Sequence, residues 1–163
     1  TDGKGFLQSL KEVIDPKGRT IVMLGAGGAA RAIGVELAIA GAKRIIIVNR
    51  DPKRGQTLVD LLNAKTRAKA ELTVWNNTYA VPDDVDILVN ATAIGLFPDA
   101  DAKIDVDTAT FRKELVVADV IPNPPRTRLI REAQAKGCRV IDGLGMLVNH
   151  GVIGVKYWTG VAI

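Results

Sequence analysis

Thr20-Ile21-Val22-Met23-Leu24-Gly25-Ala26-Gly27-Gly28-Ala29-Ala30 is the stretch that decides the fold. Four unbroken apolar residues, Ile21 to Leu24, closed by glycine read as a strand buried on both faces. Residues 28–40 are rich in Ala, Ile and Leu, meet no breaker before Gly41, and read as a helix with a glycine stop. The pattern Gly25-x-Gly27-x-x-Ala30 thus falls between a strand and a helix, the setting in which it binds dinucleotides. The first glycine allows a tight turn, the second lets backbone approach a pyrophosphate, and a small residue at position 30 lets the helix pack closely on the strand. Unpaired N–H groups and the positive dipole end of the helix then receive the phosphates. Gly25, Ala26, Gly27, Gly28, Ala29 and Ala30 are accordingly the expected cradle. The alternative is a tight turn in an α/β domain with no ligand.

Working outward, strands and helices alternate. Residues 44–48 read as the second strand, and residues 52–64 as the second helix of this unit, with Asp51 as N-cap and Pro52 at the first helical position. Residues 71–75 and 86–90 are the next strands, and residues 93–107 read as a loop. Residues 115–120 are a strand, followed by the turn Pro122-Asn123-Pro124-Pro125. Residues 126–136 are a helix closed by Gly137, residues 138–141 a strand and residues 144–158 a last helix. Ahead of all this, Phe6, Leu7, Leu10, Val13 and Ile14 follow helical spacing. The expected fold is α/β: a doubly wound, mostly parallel Rossmann-type sheet with helices on both faces, residues 1–163 forming one dinucleotide-binding domain.

Composition agrees with that reading. The 163 residues are 47% hydrophobic but only 4% aromatic, so aliphatic side chains must fill the core, as suits parallel strands covered on both faces. The net charge of +4 comes from scattered Lys and Arg without interleaved aromatics, so a phosphorylated small ligand is expected rather than nucleic acid. Cys138 stands alone in an apolar run and reads as a core thiol, and a reducing cytoplasm is the expected compartment. No apolar run approaches membrane-spanning length, and no signal peptide or metal site is expected. Because Thr1-Asp2-Gly3 runs at once into an amphipathic pattern, the chain is expected to be part of a longer one.

The end of the second strand bears on the ligand. An NAD site usually places a carboxylate there for the ribose 2′-hydroxyl. This chain has Asn49-Arg50, with Lys53 and Arg54 close behind. Arg50 can lie flat on adenine, and both arginines can meet a 2′-phosphate, which favours NADP. Asp51 would repel that phosphate unless its helix-capping role aims it away, so NAD stays open.

Several segments together resemble the shikimate/quinate dehydrogenase family. They are Thr1-Asp2-Gly3 with Gly5, the loop from Gly25 to Ala30, Asn49-Arg50, Asn90-Ala91-Thr92 with Gly95, and Asp142-Gly143-Leu144-Gly145-Met146-Leu147-Val148. The last is the most specific. The resemblance implies an N-terminal substrate domain that this chain does not contain, and hydride transfer between NADP and a 3-dehydroshikimate/shikimate-type cyclic hydroxy acid. It matches Asp2 to the Asp of the family's catalytic Lys–Asp pair, in contact with substrate, and puts the Lys outside this chain. It implies that Asn49, Arg50 and Arg54 line the adenosine phosphate site, and that Ala91, Thr92, Ile94, Val120 and Gly143 border ribose and nicotinamide. Without it, Asp2 reads as a helix N-cap, Thr92 as a turn residue and Gly143 as the start of a helix.

Two departures bear on the substrate. Pro122 stands where the family commonly has Tyr, and His150, the one histidine, where it has a Gln that reaches substrate hydroxyls. A divergent paralogue acting on another alcohol is therefore one reading, and a non-catalytic NAD(P)-binding or sensing module another. A two-domain NADP enzyme acting on folates or amino acids gives no reason for Asp2-Gly3 and Asp142-Gly143 together. The fragment alone is expected to bind NADP without turning over shikimate.

Overall fold

The computed structural model describes residues 2–95, 98–122, 124 and 126–144, with Asp2 described by its backbone alone. α1 (Asp2–Lys11) leads into β1 (Thr20–Leu24), α2 (Gly28–Ile39), β2 (Arg44–Asn49), α3 (Pro52–Lys65) and β3 (Lys69–Val74). Then follow β4 (Tyr79–Ala80), β5 (Ile87–Asn90), β6 (Val106–Asp107), a 3-10 turn (Thr108–Thr110), β7 (Val116–Asp119), α4 (Arg128–Ala135) and β8 (Arg139–Ile141).

Six strands form one parallel sheet in the order β3-β2-β1-β5-β7-β8. The chain winds outward from β1 in one direction, then returns to β5 on its other side and winds the opposite way. The carboxyl ends of β1 and β5 therefore open onto a switch point, where open α/β sheets receive ligands.

Because side chains alternate along a strand, the unbroken apolar run of β1 feeds two cores. Ile21 and Met23 join Ile45, Ile47, Ile87 and Val89 against α1, α2 and α3. Val22 and Leu24 join Ile46, Val48, Leu88 and Val117 on the opposite face, where α4 and the segments around β4 and β6 pack. Only α4 covers this second face as a helix among the described residues. Phe6 and Leu10 of α1 are 1% and 0% exposed within the first core, each burial worth roughly 1.5–3 kcal/mol.

The structure corrects the reading of residues 93–107 as a loop throughout: β6 at the end of that stretch pairs in parallel with β4. Two-residue strands carry no periodicity, so this pairing left no mark in the sequence. The strand expected at residues 71–75 begins earlier, at Lys69, and the helix expected at residues 126–136 begins at Arg128, capped by the Thr127 hydroxyl, which accepts from the Ile130 N–H. Cys138 is a buried thiol whose Sγ donates to the Arg112 carbonyl at 3.1 Å, and burial pushes its pKa up. The helix expected at residues 144–158 lies outside the described residues beyond Leu144. Among the described residues no helix is long and apolar enough to cross a membrane.

Candidate dinucleotide-binding site

Gly25 ends β1 with φ of +105°, a left-handed conformation that L side chains rarely adopt. A Cβ there would also sit 3.2 Å from the Ala91 carbonyl oxygen and from Cγ2 of Thr92. Gly25 thus brings the ends of β1 and β5 together at the switch point. Gly27 and Gly28 are different. Neither has a positive φ, and a Cβ on either would meet nothing within 4 Å. Gly27 is the N-cap of α2 and supplies no side-chain hydrogen bond to its first turn. The first N–H groups of a helix have no intrahelical acceptor, so these face the open space that the two glycines leave.

A hollow lies on each side of this turn. One, of about 300 Å³, is lined by Ala26, Gly27, Gly28, Arg31, Arg54, Thr57, Leu58 and Leu61, between the starts of α2 and α3. The other, of about 270 Å³, is lined by Ala29, Ala91, Thr92, Ala93, Val120, Ile121 and Pro122, between α2 and the ends of β5 and β7. The geometry suits an extended ligand with its anionic centre at the helix start and a moiety on either side.

The residues at the end of β2 divide between a helix cap, a turn and a ring contact. Asp51 turns its carboxylate to the start of α3, where it accepts from the Lys53 and Arg54 N–H groups at 2.9 and 3.3 Å. It is spent as the expected cap and does not face the first hollow. Asn49 donates its side-chain amide to the Asp51 carbonyl at 2.9 Å and shapes the turn. Arg50 lies with its guanidinium 5.5 Å from the ring centroid of Trp75 and does not line the hollow that Arg54 lines. Asp51→Ala is expected to cost about 1 kcal/mol, read as a lower urea midpoint with an unchanged slope. No change in midpoint would mean that the cap is not formed in solution.

Of the residues expected around ribose and nicotinamide, the second hollow gathers Ala91, Thr92 and Val120. Ile94 instead packs, half-buried, against the second core. The Thr92 hydroxyl donates to Asn90 Oδ1 at 2.6 Å and accepts from the Ile94 N–H at 3.1 Å, so it fixes the turn after β5. Gly143 packs backbone to backbone: a Cβ there would collide with the Ile121 carbonyl. It thereby seats the start of the Asp142-Gly143 segment against the wall of the second hollow. Asp2 opens α1, its side chain outside the described residues, and His150 lies outside them altogether.

Two groups went unread in the sequence. Arg31 lines the first hollow from α2, and nothing in its local pattern separates it from any exposed helical arginine. Behind the second hollow, Asp119 is buried among three donors. Its Oδ1 accepts from Asn90 Nδ2 at 3.1 Å and from the Ile121 N–H at 3.0 Å, and its Oδ2 accepts from the Thr127 hydroxyl at 2.8 Å. Burial raises its pKa from 3.8 to about 6, against the lowering effect of those hydrogen bonds. Among the described residues no cluster of three His, Cys, Asp or Glu side chains is placed to hold a metal ion.

A parallel sheet wound both ways from β1, with a glycine turn at its switch point, defines a Rossmann-type α/β domain. Residues 8–124 match the model of the shikimate/quinate 5-dehydrogenase family, and the chain belongs to that family. A shikimate dehydrogenase (NADP(+)) of Methanopyrus kandleri is 41% identical over 98% of this chain and 57% of its own length. The ligand-free crystal structure of 5-ketofructose reductase of Gluconobacter sp. strain CHM43 is 56% identical, with a TM-score of 0.97 over 100% of this chain and 58% of that one. Shikimate 5-dehydrogenase from Listeria monocytogenes, solved with shikimate and NAD, is 32% identical, with a TM-score of 0.89 over 99% of this chain and 58% of that one. The chain therefore spans well under two thirds of the length of each.

Proposed function

We propose that this chain is the cofactor-binding part of an NADP-dependent, shikimate dehydrogenase-like oxidoreductase, and that residues outside it supply the substrate domain. The observation that carries this reading is the pair Gly27 and Gly28. The fold itself requires neither glycine, by conformation or by packing, and their absent side chains keep the N-terminus of α2 open. The N–H groups there hold the pyrophosphate, Arg54 and the Asn49-Arg50 turn flank the adenosine phosphate, and the hollow of Ala91, Thr92 and Val120 takes the nicotinamide side, bordered by Ile94 and Gly143. Bound NADP supplies the hydride. Asp2, at the start of α1, serves the proton that a carbonyl oxygen needs as negative charge builds on it, paired with a Lys from the substrate domain. We assign substrate contact to His150 because it stands where the family has a Gln that reaches substrate hydroxyls. The cytoplasm is the compartment we assign to such an enzyme.

A second reading of the substrate rests on a specific observation. Identity to the 5-ketofructose reductase is 56%, against 41% for the Methanopyrus kandleri shikimate dehydrogenase. Pro122 and His150 replace the family's usual Tyr and Gln, so the corner that meets substrate is altered in this chain. A keto-sugar is then the compound reduced. NADPH oxidation by the protein with its substrate domain, assayed with 3-dehydroshikimate and with 5-ketofructose, separates the two readings. Nucleotide binding without turnover of either would favour a non-catalytic module.

The cofactor reading is tested on the chain itself by calorimetric titration with NADP and NAD at two salt concentrations. NADP is expected to bind tighter by about tenfold or more and to weaken with salt. Gly28→Val is expected to leave the unfolding midpoint nearly unchanged and to weaken NADP about tenfold or more, because its side chain enters only the ligand's space. Tight NADP binding by that variant, or none by the wild type, would remove the proposal. Equal affinity for NAD would retain the site and discard the 2′-phosphate preference. The chain alone is expected to show no turnover, since the partner Lys and half the cleft lie elsewhere.

A further inference from the structure

We infer that Arg31, in the first turn of α2, is a specificity-determining residue that binds the 2′-phosphate together with Arg54; this rests on the dinucleotide reading above. Three observations converge on it. First, Arg31 and Arg54 come from different helices yet line one hollow of about 300 Å³ whose walls contain no acidic residue. Second, neither arginine forms an ion pair among the described residues, although five other ion pairs are formed there. Glu36, which lines a second hollow together with Arg31, forms no ion pair with it. Third, the placement of Arg31 is electrostatically poor for the unliganded fold. A cation in the first turn meets the positive end of the helix dipole, and α2 has no acidic residue in that turn to offset it.

Two unpaired guanidinium groups beside an uncapped helix start make a site for more negative charge than a pyrophosphate brings. The N–H groups at Gly28 serve the pyrophosphate where α2 begins. Arg54 stands at the start of α3, just after the turn where a ribose edge is read. A phosphate on that ribose lies between the two helix starts and receives donors from both arginines, with charge-assisted hydrogen bonds. Arg50 sits over Trp75 and does not line this hollow. The discriminating pair is then Arg31 and Arg54, one from the glycine-rich unit and one from the following unit.

The experiment compares wild type, Arg31→Ala, Arg31→Lys and Arg54→Ala by calorimetry with NADP, NAD, adenosine 2′,5′-bisphosphate and adenosine 5′-monophosphate. Arg31→Ala is expected to weaken NADP and the bisphosphate about tenfold or more, to leave NAD and the monophosphate within about twofold, and to flatten the salt dependence. Arg31→Lys is expected to recover part of the loss, since a charge remains without the fork. Equal weakening of NADP and NAD, or none, overturns the assignment. A selective loss in Arg54→Ala without one in Arg31→Ala overturns it for Arg31 alone. A wild type that binds no nucleotide overturns the dinucleotide reading, and this assignment with it.

Discussion

Asp119→Ala is expected to destabilise the domain by about 2–4 kcal/mol at pH 7, a large part of the margin of a typical domain. Asp119 is 1% exposed, and so is Thr127, while Asn90 is 0% exposed. Removing the carboxylate leaves the Asn90 amide, the Ile121 N–H and the Thr127 hydroxyl without the acceptor they share. Each buried orphan costs about 1–3 kcal/mol, partly offset because the wild-type charge is itself poorly solvated. That offset makes the effect depend on pH. The folded-state pKa of about 6 lies above the ordinary 3.8, so between these values the native state holds a proton that the unfolded chain has released. Stability from this group is fully present below about pH 4 and is lost as pH rises through about 6, in total roughly 3 kcal/mol. Urea unfolding from pH 4 to 7 should therefore show a falling contribution in the wild type that Asp119→Asn abolishes, and an Asp119→Ala deficit that grows at lower pH. An unchanged slope in Asp119→Asn would assign the pH dependence to other groups. The same three partners tie the ends of β5 and β7 to the start of α4 behind the hollow of Ala91, Thr92 and Val120.

Gly3→Val is expected to cost about 3 kcal/mol or more, and Gly3→Ala about 1–2 kcal/mol. A Cβ at position 3 would fall 2.5 Å from the Ala32 carbonyl oxygen and 2.7 Å from Glu36 Cγ. The nearer obstacle is the backbone of α2, which cannot swing aside, so α1 must move off and unseat Phe6 and Leu10. Two effects oppose each other here. Alanine gains about 1 kcal/mol over glycine in helix propensity, and the clash must exceed that for the domain to lose stability. The midpoint of thermal unfolding reads the balance directly. A Gly3→Ala domain that melts higher than wild type would show that α1 and α2 stand further apart in solution.

Where local chemistry dominates, the chain was readable in advance. β1 is built on the unbroken apolar run of residues 21–24, and the start of α3 follows from Asp51-Pro52, because capping is settled within four residues. The glycine loop was placed correctly between strand and helix for the same reason. β4 and β6 were invisible, since their pairing joins Tyr79–Ala80 to Val106–Asp107 across a long stretch of chain. The expected stacking of Arg50 on adenine took no account of Trp75, which reaches it only once β3 pairs beside β2.

The amino-acid order by itself determined the alternation of elements, the class of fold and the position of the glycine-rich turn, since periodicity and caps act over a few residues. It also supplied the glycines, with a reason from the loop motif for Gly25 and Gly27 but none for Gly3. Tertiary structure sorted them: Gly25 for a left-handed turn, Gly3 and Gly143 for backbone against backbone, Gly27 and Gly28 for space that the protein itself leaves empty. It likewise decided that Arg31 and Arg54 share one hollow. Those facts depend on which distant segments the sheet brings side by side, and close approach between such segments leaves no periodic trace in the chain.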